Sequence, residues 1–284
     1  TKKMNTFFAG VLAATVWMAP DGNDVTGDGS KEKPVATLQK AVDVTRNILS
    51  DEDKTIVVKD GLYRFDRSVA LLGGDAGLEI KAENKGKAVF TGAKSVSGWT
   101  VDPKDRRFLV ADFPFKAKDG WMYSFVVNGE RATFSCFPQG IGRKTLPYIA
   151  SHNEIAKNNR RVIRYDRRTL PGPDSFKDLD LTSVKLYIPQ EWDSVSTFIA
   201  TNDWENGVFY LAKRTPMPIG RFNQGYKIYN SRVGMTHPGC WMYSIGDNKI
   251  YYWPREGETA ENIKGEVSAI NQILSLGKSH NIAL

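Results

Sequence analysis

The sequence is poor in the residues that build metal centres and covalent frameworks. Its 284 residues include two cysteines, Cys136 and Cys240, and three scattered histidines, His152, His237 and His280. Two cysteines exclude a disulfide framework and a four-cysteine zinc site, and the histidine spacing excludes an HExxH helix. Cys136 and Cys240 either pair after export or remain two separate buried thiols, and sequence does not separate these readings. No N-x-S/T sequon occurs, so nothing supports a eukaryotic glycoprotein. Disorder is excluded by composition, with 41% hydrophobic and 25% charged residues. What is abundant is glycine (25), proline (13) and aromatic residues (11%), which together favour many strands and turns. The length suffices for one large domain or two ordinary ones.

The formal charge is +7. Most of it sits between Ile141 and Arg168, where Arg143, Lys144, Lys157, Arg160, Arg161, Arg164, Arg167 and Arg168 face only Glu154 and Asp166. A phosphate-binding surface interleaves such charge with aromatics or mounts it on a recognition helix, and only Tyr148 and Tyr165 fall in this run. Nucleic acid is therefore not the expected partner. The run reads as a solvated face, with an anionic partner such as an acidic glycan as the alternative.

At the N-terminus Lys2 and Lys3 precede Phe7-Phe8-Ala9-Gly10-Val11-Leu12-Ala13-Ala14. A basic start, a short apolar run and small residues at its end describe a signal peptide over residues 1–15, too short to span a bilayer comfortably. The alternative is a buried first strand or short helix. The expected localisation is secreted, or periplasmic in a bacterium, with no membrane partner beyond that signal.

Along the chain, Trp17 to Pro20 reads as a strand, followed by a turn-rich loop through Asp21-Gly22-Asn23-Asp24 and Gly27-Asp28-Gly29-Ser30. Leu38, Ala41, Val42 and Thr45 recur at helical spacing with Thr37 as N-cap. Short apolar strands follow at Thr55–Val58, Val69–Leu72, Leu78–Ile80 and Ala88–Phe90, with glycines between them. From Trp99 the texture becomes hairpin-like: Ser124–Val127 runs into Asn128-Gly129, and Trp241–Ile245 and Lys249–Trp253 flank Gly246-Asp247-Asn248. After Glu258 short strands return around Ile273–Leu276 and Asn281–Leu284. The fold class is all-β.

These residues carry a resemblance. Trp17 to Asp24, Gly27 to Pro34, Ala36 to Ala41, Gly61 to Tyr63, and Phe90 to Ala93 with Ser97 to Trp99 resemble the start of secreted right-handed parallel β-helix proteins of the pectate-lyase-like superfamily. Asn128 to Ala132, Trp241 to Tyr243, Ile250 to Pro254 and Glu256-Gly257 resemble the β-rich insertion of proteins like glycoside hydrolase family 141. The resemblance implies β-helix coils with a capping helix over 16–98, a β-sandwich-like insertion over 99–255, and a return to the coils over 256–284. It also implies a secreted glycoside hydrolase acting on a plant or microbial polysaccharide or oligosaccharide, with its catalytic carboxylates beyond this chain. A non-catalytic glycan-binding or adhesion module and a polysaccharide lyase are the alternatives.

Individual residues are weighed on that frame. Glycoside hydrolysis uses two carboxylates across the scissile bond, and Asp174, Asp178 and Asp180 cluster after Pro171-Gly172-Pro173, where a polar loop explains them equally well. No catalytic residue is assigned. Arg160 or Arg164 would serve as the base of a lyase, against the simpler reading of a solvated run. No cofactor is expected. Calcium on Asp21, Asn23, Asp24 and Asp28 is the one metal reading, and Asx-turns account for the same residues. Trp192, Trp204 and Trp241 offer ring faces for sugars; Trp241 reads as core, and Trp204, in the turn Thr201–Gly207, is the substrate-binding candidate.

Overall fold

The computed structural model of the chain describes residues 14–48, 53–118, 123–139, 160–170, 176–190, 192–219 and 225–284. The apolar N-terminal run up to Ala13, Asp174, Arg143, Lys144 and Lys157 lie outside the described residues, while Ala14 and Thr15 open the first strand. The chain divides into two compact units, Thr1–Ala93 with Ser268–Leu284, and Lys94–Val267. Both are predominantly β. No helix among the described residues is long and apolar enough to cross a membrane.

In the first unit every described strand pairing is parallel. Strand β1 (Ala14–Met18) pairs with β2 (Lys54–Val58), and β2 pairs with β5 (Glu79–Ala82). Strand β3 (Gly61–Arg64) pairs with β6 (Ala88–Thr91), and β4 (Val69–Ala70) with Leu274–Ser275. The chain thus visits three ladders in turn and revisits them in the same order. Register places like residues side by side: Val16, Ile56 and Ile80 form one buried row, and Tyr63 lies edge-on to Phe90 with ring centroids 5.5 Å apart. Val16, Ile56 and Ile80 join Tyr63, Val69, Leu71 and Leu78 in one buried cluster.

Helix α1 (Leu38–Asn47) covers part of this core. Its buried residues are Leu38, Ala41, Val42 and Thr45, the one-face spacing of a 3.6-residue period. Thr37 caps it by accepting from the Lys40 N–H, and Asp24 accepts from the Ala36 and Thr37 N–H groups and the Thr37 hydroxyl. Burying Leu38 and Val42 contributes about 1.5–3 kcal/mol each. At the far end Arg46 grips the buried Asp75 through Nε and Nη2, at 2.9 and 2.7 Å, in a bidentate pair.

The second unit is mostly antiparallel. One sheet orders Thr133–Phe134, Cys240–Ser244, Lys249–Tyr252, Leu109–Asp112 and Thr100–Val101, with only its first pair parallel. Another orders Cys136–Phe137, Lys227–Tyr229, Lys185–Pro189, Ser194–Asp203, Val208–Leu211 and Val162–Arg164. Phe125–Val127 turns through Asn128 and Gly129, both at positive φ, into Glu130–Arg131, as the Asn-Gly pair predicts. Two aromatic-rich cores form, one around Trp99, Phe125, Trp241 and Tyr252, the other around Tyr165, Phe176, Phe209 and Tyr226. Glu258 ties the segments that carried the resemblance together: it accepts from the Tyr252 hydroxyl (2.6 Å), the Arg255 N–H and the Asn128 amide.

Candidate functional site

A polar cleft of about 270 Å³ opens in the second unit. Four pieces of chain converge on it. The loop through Asp178 and Asp180 forms one wall, and the turn Ser244–Asp247 of the long hairpin forms another. Ser231 and Arg232 arrive from the short turn after Lys227–Tyr229, while Tyr251 and Lys104 complete the rim.

Asp180 organises its wall. One carboxylate oxygen accepts from the Thr182 N–H and hydroxyl, the other from the hydroxyls of Ser183 and Ser244. Burial alone would push this carboxyl up; the hydroxyl and amide donors outweigh burial and hold it below the usual carboxylate range. Four donors fill the acceptor positions of a carboxylate. Asp180 is therefore an ionised anchor, suited neither to donating a proton nor to taking one. Asn230, buried and at positive φ, adds a second tie: its amide donates to the Ser183 carbonyl and its oxygen accepts from the Tyr243 N–H.

Arg232 is held from behind. Its Nη1 lies 2.6 Å from Oδ2 of Asp102, whose side chain is 4% exposed. The contact is an ion pair and not an aligned hydrogen bond, because neither atom has a partner of hydrogen-bonding geometry. The guanidinium also stacks on Tyr251 at 4.6 Å and on Phe108 at 5.6 Å. Ser231 is 4% exposed, and among the described residues its hydroxyl has no hydrogen-bond partner. Asp178, Asp247 and Lys104 stand exposed at the mouth.

The structure separates the sequence candidates. Asp178 and Asp180 both line the cleft, while Asp174 lies outside the described residues. Trp241 is core, 1% exposed. Trp204 does sit in a turn, where its ring is half-buried, 6.3 Å from Tyr165 and 5.3 Å from the Arg167 guanidinium. Trp192 stands 85% exposed on the tight turn Gln190–Asp193. Arg160 spends its Nη1 on the Pro216 carbonyl, and Arg164 lies on the strand Val162–Arg164. Cys136 and Cys240 are both free and buried, so the two-thiol reading describes the molecule, and burial pushes the Cys136 thiol up.

In the loop, Asn23 accepts from the Val25 and Thr26 N–H groups, Asp28 from Ser30, and Asp24 caps the approach to α1, as Asx-turn chemistry requires. Among the described residues no group of three or more His, Cys, Asp or Glu is arranged to hold a metal ion. A second cavity, of about 300 Å³, lies in the first unit between Thr37 and Gln39 on one side and Arg64 and Arg67 on the other. Sequence reasoning missed Lys104, Ser231, Arg232, Asp247 and Tyr251, which come from segments up to about 150 residues apart and share no motif.

No family model matches the chain, and no curated protein matches its sequence. Among solved structures, a protein described as a glycoside hydrolase superposes with TM-score 0.70 and 22% identity, covering 92% of this chain and 47% of that one. The chain thus spans about half the length of that neighbour. The complex of XylC with xylose aligns at TM-score 0.40 and 13% identity, covering 92% of this chain and 32% of that chain, a distance at which no fold is assigned. The first likeness establishes a glycoside-hydrolase-like fold.

Proposed function

We propose that this chain is the carbohydrate-handling portion of a secreted or periplasmic glycoside-hydrolase-like protein that acts on a plant or microbial polysaccharide. The observation that carries the reading is the fold likeness over 92% of the chain. The parallel ladders of the first unit, revisited in constant order, support assigning it to the coils of a right-handed β-helix, with the mostly antiparallel unit as an insertion.

Sugar binding is assigned to this chain and bond cleavage to the whole protein. A glycosidase's general acid needs its carboxyl pushed up. The carboxylates that the fold perturbs here, Asp75, Asp105 and Asp180 among them, are pushed down by their donors. Trp204 offers a half-buried face for stacking on a sugar ring, and the cleft beside Asp180 offers polar partners for ring hydroxyls.

The test is affinity electrophoresis of the full chain in gels containing single polysaccharides, paired with reducing-end assays on the same polymers. Retardation by at least one polymer, with no reducing ends released, is expected. Trp204→Ala should then weaken retardation. Free migration through every plant and microbial polymer tested would sink the reading. Release of reducing ends by this chain would move catalysis into it.

A further inference from the structure

The basic run between Ile141 and Arg168 gains partners in the fold that the sequence does not place beside it. We infer that its described part, together with Lys213 and Arg214, forms an interaction stripe for a linear polysaccharide that carries carboxylates. The inference rests on the carbohydrate reading above and adds the class of polymer.

Three observations carry it. The first is convergence. Val162–Arg164 is the edge of its sheet among the described strands and runs antiparallel to Val208–Leu211. The pairing continues beyond the strand, because the Leu211 N–H donates to the Arg161 carbonyl (2.8 Å) and the Thr215 N–H to the Arg160 carbonyl (2.9 Å). That brings Lys213 and Arg214 beside Arg160 and Arg161. At the other end the Tyr165 N–H donates to the Gly207 carbonyl, and Arg167 meets the Trp204 turn. From Arg160 to Tyr165 an extended chain covers about 17 Å, which suits a polymer and not a single ring.

The second observation is charge. Residues 160–170 and 203–214 hold seven Lys and Arg against three carboxylates. Two of those carboxylates are spent. Asp166 clamps Arg168 at 2.6–3.0 Å, and Asp203 accepts from the Asn206 N–H and amide. Glu205, the third, stands exposed. Arg167, Lys213 and Arg214 are exposed too, and among the described residues their side chains make no hydrogen bond or ion pair. Unpaired cations along an edge attract a polyanion, and arginine presents the fork that matches a carboxylate.

The third observation is the rings among these cations. The Arg167 guanidinium lies 5.3 Å from the centroid of the half-buried Trp204 ring. Tyr210, opposite Val162, is 44% exposed midway along the stripe. A sugar acid offers an apolar ring face and a charged substituent, and ring beside cation answers both. The fold likeness favours a glycan over a nucleic acid here.

The experiment is affinity electrophoresis of the full chain at low salt in gels containing alginate or the neutral polymer glucomannan. Alginate should be held at least about tenfold more tightly, and the difference should fade as salt screens it. Lys213→Glu/Arg214→Glu should weaken alginate binding by about tenfold or more. Lys85→Glu/Lys87→Glu makes the same change in net charge on exposed residues of the first unit, and should weaken it by less than about twofold. Melting curves of both variants should match the parent, since all four side chains are exposed.

Equal losses in the two variants would overturn the inference, because net charge and not the stripe would then hold the polymer. Glucomannan held as tightly as alginate would overturn it and leave the carbohydrate reading intact. An oligodeoxythymidine that displaces the chain from alginate better than an alginate oligomer of equal charge would overturn the assignment to a glycan. If no polymer retards the chain, the function falls with the stripe.

Discussion

At the residue scale the molecule shows why an acidic cluster is a poor guide to catalysis. Asp178 and Asp180 are two residues apart, yet one is exposed and the other sits beneath three hydroxyls. The Asp180 carboxyl is held below its ordinary value, so its contribution to stability has a definite sign. It is fully present above the unfolded value of about 3.9 and is lost as pH falls through the folded value. Asp180→Asn should therefore destabilise at neutral pH by about 1–3 kcal/mol, because an amide cannot accept from all four donors. The urea midpoint should drop at pH 7 with an unchanged slope, and the difference between variant and parent should shrink as pH is lowered below about 4. An equal deficit at pH 7 and pH 3 would show that shape, not charge, anchors the loop.

At the scale of elements, what was legible depended on whether a signal is local. Helix α1 was readable because capping and the 3.6-residue period are written in ten consecutive residues, and Thr37, Leu38, Ala41, Val42 and Thr45 take the roles their spacing gave them. The Asn128-Gly129 and Gly246-Asp247-Asn248 hairpins were readable for the same reason, since positive-φ residues announce their turns. Strand β3 was missed, since Gly61-Leu62-Tyr63-Arg64 alternates over too few residues to register and is fixed by its pairing with β6. The cleft was hardly legible. Asp178 and Asp180 drew attention as a cluster, but nothing in sequence brings Tyr251 to them; the hairpin that carries Tyr251 is tied to their loop by the Ser244 hydroxyl on Asp180 and the Ile245 N–H on the Ser183 hydroxyl. Because α1 draws on local signals, its cap is a clean test. Thr37→Ala removes the acceptor for the Lys40 N–H and the donor to Asp24 together. A loss of about 1–2 kcal/mol is expected, with Thr37→Ser recovering most of it in chemical denaturation. A loss within error would mean that packing alone holds the helix.

At the scale of the whole molecule the two units differ in how they bury their cores. In the first, parallel ladders and helix α1 pool their buried side chains in one cluster that runs from Val16 to Ile80. In the second, the clusters around Trp241, Phe209 and Met242 draw their buried members from between Val96 and Val267. Val96 and Val267, near the two ends of that stretch, are themselves buried in one cluster. Gly265–Ser268 lies beside Ala93–Val96 in one sheet, so the segment closes on itself where it begins and ends. A segment that contains its own core and pairs its own closing strand meets the requirements of an independently folding domain. Residues 94–267 expressed alone should therefore give a monomer with strand-rich circular dichroism and a cooperative melt. The excised segment should also keep the polysaccharide retardation of the full chain, because Trp204 and the cleft beside Asp180 both lie within it. A segment that stays unfolded would mean that the first unit supplies stability the second lacks. One that folds but loses sugar binding would place the recognising groups outside the cleft.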